Sequence, residues 1–154
     1  MYPKEYSEYV YKYSEENNID PLLTFAIIKA ESNFNPEATS NSNAIGLMQV
    51  LETTAKEVMQ NKTEENFSKE ILFNAEDNIK IGTKYYKTLY DKYKNNAVAL
   101  MAYNAGSGNV DRWIQEGTIK SDGTDAENIP YKETNNYVRK ILRDYEIYKE
   151  LYGK

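Results

Sequence analysis

Residues 21–50 read PLLTFAIIKAESNFNPEATSNSNAIGLMQV. The stretch changes character abruptly. Leu22 to Ala30 is almost wholly apolar, and Asp20-Pro21 before it offers an N-cap followed by a first-turn proline. A helix is therefore predicted from Pro21 to about Asn33. Pro36 opposes its continuation. The loop that follows has no periodicity and runs into Gly46-Leu47-Met48-Gln49. Glu31 lies at the join. Its helical neighbours three and four residues back are Ile28 and Ile27, with Leu23 below them, so it falls on the apolar side. An isolated Glu near a helix end ordinarily points to water. On an apolar face, burial disfavours the ionised form and raises the pKa. A carboxyl that keeps its proton near neutral pH can give that proton to a leaving group, as a general acid must.

Working outward, helices are predicted everywhere and no strand is convincing. Residues 3–16 carry Tyr6, Tyr9, Val10 and Tyr13 at helical spacing, with Pro3 suited to a first turn. Thr53 or Thr54 caps a helix running to about Gln60. Asn74 caps another, whose face holds Ile79, Gly82, Tyr86, Leu89 and Tyr93. A short buried helix ends at Gly106, the next runs from Ser107 to Glu116, and Gly117 stops it. After a polar loop over 117–129, a terminal helix covers 130–151, with Tyr137, Val138, Ile141, Leu142, Tyr145 and Tyr148 in register. No repeat and no linker divides the chain, so 1–154 reads as one all-α domain.

Composition narrows the chemistry. The 154 residues are 40% hydrophobic and 28% charged, ordinary for a globular domain, with 15 Tyr. The net charge of −5 and the lack of a basic run disfavour nucleic acid and anionic membranes as partners. There is no Cys and no His. Thiol nucleophiles, disulfides, Ser-His-Asp triads and nearly all zinc sites are excluded, leaving Asp, Glu, Lys and Tyr for acid–base work. No apolar run reaches 18 residues, and no signal peptide opens the chain, so either the protein is cytoplasmic or it is a domain cut from a longer exported one. The acidic stretch SDGTDAE, 121–127, does not have EF-hand spacing and reads as a solvated loop. Asn61-Lys-Thr and Asn66-Phe-Ser fit the glycosylation sequon, a pattern frequent by chance.

Three motifs in order carry a resemblance. ESNFNPEATSNSNAIGLMQV, ALMAYNAGSGNV (99–110) and ENIPYKETNNYV (127–138) resemble the signature of the family 1 lytic transglycosylases, the soluble-lytic-transglycosylase-like domain of the lysozyme-like superfamily. The resemblance implies a lysozyme-like helical domain with a substrate groove and little or no β-structure. It implies Glu31 as sole acid/base, cleaving the bond between N-acetylmuramic acid and N-acetylglucosamine in peptidoglycan. The sugar's own C6 hydroxyl closes on C1, leaving a 1,6-anhydro ring, so no second carboxylate is needed. Motif by motif, Ser32 fixes the helix end, Ser40 lines the substrate loop, and the Gln49 amide reaches the sugar. Tyr103 places its hydroxyl near the acid and Asn104 braces the cleft. Glu127 contacts saccharide and Tyr137 orients Glu31, while Glu133 and Thr134 start the terminal helix. No metal or cofactor is implied.

The sequence departs from the pattern in two places. The family's Gly-Ala before Gly-Leu-Met-Gln is Asn43-Ala44, and Asn tolerates the left-handed backbone the turn needs. Its Met-Pro-x-Thr-Ala is Leu51-Glu52-Thr53-Thr54-Ala55. Both bear on loop shape and on stem-peptide or strand-length preference. A substrate in the cell wall implies a domain working outside the cytoplasmic membrane, cut from a longer exported or anchored protein; a monomer is expected. Its work is wall turnover or opening the wall for a secretion, conjugation or phage apparatus. A hydrolytic muramidase on the same fold and a catalytically dead glycan-binding domain remain as alternatives.

Overall fold

The computed structural model describes residues 1–59 and 67–153. Seven α-helices are found among them: α1 Ser7–Glu16, α2 Pro21–Ser32, α3 Glu52–Val58, α4 Ala75–Tyr93, α5 Asn96–Ala105, α6 Ser107–Gln115 and α7 Lys132–Tyr152. Short 3₁₀ turns occupy Lys69–Phe73 and Ala126–Asn128. Extended pairing is limited, among the described residues, to the bridges Thr39–Ile45 and Ile45–Val50.

Helix α2 is the axis of the molecule. Asp20 caps it by accepting from the Leu22 N–H, with Pro21 at the first helical position. All seven residues from Leu22 to Ile28 are buried, so this helix is surrounded by protein on every side. Helix α7 packs along it. The contacts run in opposite order: Glu31 meets Tyr137, Lys29 meets Asp144, and Phe25 stacks on Tyr148 with centroids 5.9 Å apart. The two helices are therefore antiparallel. Helix α5, whose residues Ala97–Ala102 are all buried, fills the space between α4 and α7.

Most predicted helices lie where expected, and the differences have local causes. Helix α1 begins at Ser7 rather than residue 3, because Tyr6 adopts a left-handed conformation (φ 59°). Residues 2–4 instead lie across the C-terminal end of α7, where the Tyr148 hydroxyl donates to Pro3 O at 2.6 Å and that of Tyr152 to Tyr2 O at 2.9 Å. Helix α3 starts at Glu52, behind Leu51, without a side-chain cap. Its expected end at Gln60 and the Asn61-Lys-Thr sequon lie outside the described residues, as does Asn66. Helix α7 starts two residues later than predicted, beyond Ile129-Pro130. The 3₁₀ turn at Lys69–Phe73 was not anticipated; the Ser68 hydroxyl caps it by accepting from Glu70 N.

Candidate active site

Helix α2 delivers Glu31 from the core to a cleft. The helix ends at once after it, because Asn33 and Phe34 both take left-handed backbone (φ 50° and 64°). Phe34 turns inward and is buried against Phe25. A bulky residue in that region costs energy, so its apolar packing holds the reversal in place.

Glu31 is half-buried, and its carboxyl accepts a hydrogen bond of 2.7 Å from the Tyr137 hydroxyl. Its pKa stands raised from 4.5 to about 7: desolvation is the main cause, the Tyr137 bond pulls against it, and the negative charge of Glu133 adds to it. Its charge in turn raises the pKa of Tyr103 and Tyr137, whose hydroxyls burial already pushes well above 10. Both therefore remain protonated donors. Tyr103 does not hydrogen-bond the acid: its hydroxyl donates to Met48 O at 2.7 Å, tying α5 to the loop. The orienting bond comes from Tyr137.

The loop of residues 34–50 has almost no ladder, so side chains must satisfy its backbone. Ser32 Oγ donates to Leu47 O at 2.8 Å, joining the end of α2 to the loop. Ser40 Oγ accepts from Ser42 N and Ala44 N, closing the small-residue turn. Asn43 takes φ 67°, the left-handed turn for which the family pattern uses Gly. Gln49 was expected to offer its amide to sugar. Its NH2 group donates to Ala38 O (3.2 Å) and Gly46 O (3.0 Å), and its backbone is left-handed. Ser40 and Gln49 shape the loop from within, and Ser32 ties it to the end of α2.

Asn78 of α4 was missed by the sequence reading. It is wholly buried, accepts from Met48 N, and donates to Ile45 O and Leu72 O, each at 2.8 Å. Every hydrogen-bonding position of the amide that meets the loop is used. Gly46 (φ 79°) lies so close that a Cβ there would collide with the Asn78 amide and Leu72 O. The signal was an Asn one turn before Gly82 on the apolar face of α4.

On the far wall, Asn104 Oδ1 accepts from Thr134 Oγ1 at 2.7 Å and its NH2 lies 3.5 Å from the Glu133 carboxylate. Asn104 thus braces α5 against the first turn of α7. Glu127 is exposed on the Ala126–Asn128 turn, whose backbone is held by Asn135. The neighbouring carboxylate whose charge reaches Glu31 is Glu133, which the sequence reading had assigned to starting the helix. Among the described residues no group of three or more Asp or Glu side chains could hold a metal ion. Asp125, in the acidic loop, is occupied by the Lys120 N–H and Asn128.

The site thus joins one proton-holding carboxyl, a tyrosine that orients it, and a loop braced beneath the cleft. A family model, transglycosylase SLT domain, matches residues 8–125. The putative soluble lytic murein transglycosylase of Haemophilus influenzae is 36% identical over 152 residues, which cover 97% of this chain and 25% of that protein. The membrane-bound lytic murein transglycosylase C of Serratia proteamaculans is 37% identical over 129 residues, 77% of this chain and 36% of that one. The crystal structure of the 70 kDa soluble lytic transglycosylase of Escherichia coli superposes with a TM-score of 0.86 at 30% identity, covering 99% of this chain and 25% of that chain. The chain thus spans about a quarter of the length of the soluble relatives it matches.

Proposed function

The chain belongs to the transglycosylase SLT domain family, and from that membership we propose that it is the catalytic domain of a murein lytic transglycosylase with Glu31 as its only acid/base. The observation that carries the reading is the Glu31 carboxyl, held out of water with a pKa of about 7 and oriented by Tyr137. Half-protonated near neutrality, it is suited to give a proton in one step and take one in the next. As acid it protonates the oxygen linking N-acetylmuramic acid to N-acetylglucosamine, and the C1–O bond breaks with oxocarbenium character. As carboxylate it then accepts the C6 hydroxyl proton while O6 bonds to C1. Glu31 regains its starting state and no water is consumed. A murein substrate puts the work outside the cytoplasmic membrane.

Glu133 supports a second reading, in which water attacks C1 and the product has a reducing end. Digesting purified peptidoglycan and weighing the muropeptides separates the two. Anhydro ends are expected from this protein, and at least about 100-fold fewer from Glu31→Gln, the loss that removal of a general acid implies. Reducing ends would establish hydrolysis. Failure of both proteins to release products from strands they bind would leave a binding domain.

A further inference from the structure

Thr134, in the first turn of α7, is buried at 1% exposure. A buried helical hydroxyl can be satisfied on its own helix, as that of Thr83 is by Ile79 O at 2.7 Å. The Thr134 hydroxyl crosses to α5 instead and donates to Asn104 Oδ1 at 2.7 Å. With its oxygen so used, the Asn104 amide turns its NH2 toward the Glu133 carboxylate, 3.5 Å away. Turned the other way, it would set Oδ1 against that carboxylate, acceptor against acceptor. The contact lies at the outer limit of a hydrogen bond, and Glu133 is exposed. A long side chain so placed spreads over several rotamers unless a donor of fixed direction holds it. The Thr134 bond fixes that direction.

Glu133 lies one helical turn before Tyr137, on the face from which the Tyr137 hydroxyl donates to Glu31 at 2.7 Å. A carboxylate held there stands beside the acid. Glu31 is faced by Tyr137 and Glu133 from α7 and by Tyr103 from α5, with Tyr85 of α4 behind the Tyr103 ring at 5.2 Å. On α2 itself, Lys29 is paired with Asp144. The 34–50 loop carries one charged residue, Glu37, exposed on the Asn35 turn. Among the described residues, Glu133 is the anion whose charge reaches Glu31. We propose that Thr134 is a positioning residue: through Asn104 it fixes the Glu133 carboxylate beside Glu31, where a like charge favours the proton-bearing form of the acid. The inference rests on the reading of Glu31 as the acid of the reaction. Thr134 is itself enclosed in protein and acts only through Asn104.

The test follows the Glu31 side-chain carboxyl by carbon NMR through a pH titration, its signal assigned by its loss in Glu31→Gln. The midpoint is expected near 7 in the unmodified protein. Thr134→Val keeps the shape and removes the donor. It is expected to lower the midpoint by on the order of a few tenths of a pH unit, as a like charge withdraws through solvent-screened distance. Thr134→Ser keeps the hydroxyl and holds the midpoint. Asn104→Ala cuts the same link from α5 and lowers the midpoint as Thr134→Val does, which serves if the valine disturbs folding. The deciding comparison uses Glu133→Gln, which leaves no charge to position. Adding Thr134→Val to it is expected to move the midpoint no further. A purely structural Thr134 would give a lower Tm in Thr134→Val with the midpoint unmoved. That result would overturn the proposal, as would equal shifts with and without the Glu133 charge, or a fall in Thr134→Ser as large as in Thr134→Val. The titration needs no substrate. The expected shifts in a protein that fails to cut peptidoglycan would defeat the lytic reading alone. Cutting by a protein whose midpoint ignores Thr134 would defeat the positioning role alone.

Discussion

At the residue scale, burial sets the raised pKa of Glu31, and two neighbours adjust it in opposite directions. Tyr137 stabilises the carboxylate and Glu133 destabilises it. With Glu31 as the proposed general acid, which must carry its proton, activity is expected to fall on the alkaline side as pH rises through about 7. Tyr137→Phe removes the stabilising bond, and the alkaline limb of the pH–rate profile is expected to move up. Glu133→Gln removes a like charge, and the limb is expected to move down. Profiles shifting in the same direction would sink this account. The raised pKa also has a cost in stability. The folded state holds the proton to about 7 and the unfolded state only to 4.5, so folding loses stability as pH rises through that window. Glu31→Gln does not titrate. It should match the unmodified protein near pH 4.5 and exceed it at pH 8 by on the order of 3 kcal/mol, visible as a rising difference in Tm.

At the scale of elements, the cleft depends on how a loop with little ladder is held against three helices. Ser32 joins the loop to α2, Tyr103 joins it to α5, and Asn78 joins it to α4. Asn78 bears the most, because it alone meets three backbone groups and is fully buried. Asn78→Ala takes the partner from the Met48 N–H and one donor each from Leu72 O and Ile45 O, the latter still accepting from Val50 N. It is expected to cost about 2–3 kcal/mol, or roughly 5–10 °C in Tm, and to lower activity by loosening the floor of the cleft. Thermal melts and turnover of peptidoglycan check both. Between α2 and α7, Asp144 is wholly buried and receives Lys29 at 3.1 Å, with the Tyr2 hydroxyl at 3.5 Å. Asp144→Ala strands a largely buried ammonium, at roughly 3 kcal/mol, and thermal denaturation reads the loss directly.

At the scale of the whole molecule, helices were legible where local chemistry agreed with packing. Asp20-Pro21, Asn74 and Gly106 marked real boundaries because each acts through its own backbone neighbours. The desolvated placement of Glu31 was legible because Ile27, Ile28 and Glu31 share a helix face. What stayed hidden depends on residues distant in sequence: Asn78 reaching a loop 30 positions away, or Glu133 approaching Glu31 across the fold. The N-terminal strap belongs to this hidden class. Its spacing reads as helix, yet Tyr2 and Lys4 are captured by α7. Tyr2 meets the Tyr148 ring edge-on at 5.5 Å, and the Lys4 ammonium lies 4.6 Å from the Tyr152 ring and 5.2 Å from that of Tyr11. The strap thus closes one end of the α2–α7 pair while the acid occupies the other. Tyr148 is 11 residues beyond Tyr137, about 16 Å along the helix, with the Lys29–Asp144 pair between them. Removing residues 2–5 is therefore expected to lower stability by on the order of 2–4 kcal/mol, through lost aromatic burial and two tyrosine hydrogen bonds. The alkaline limb of the pH–rate profile should stay in place, since the Glu31–Tyr137 contact is held from the other side. A melt unchanged by the deletion would show that the strap stabilises nothing. A displaced limb would show that the two ends of the helix pair are coupled, and that the ion pair between them does not isolate the acid from the strap.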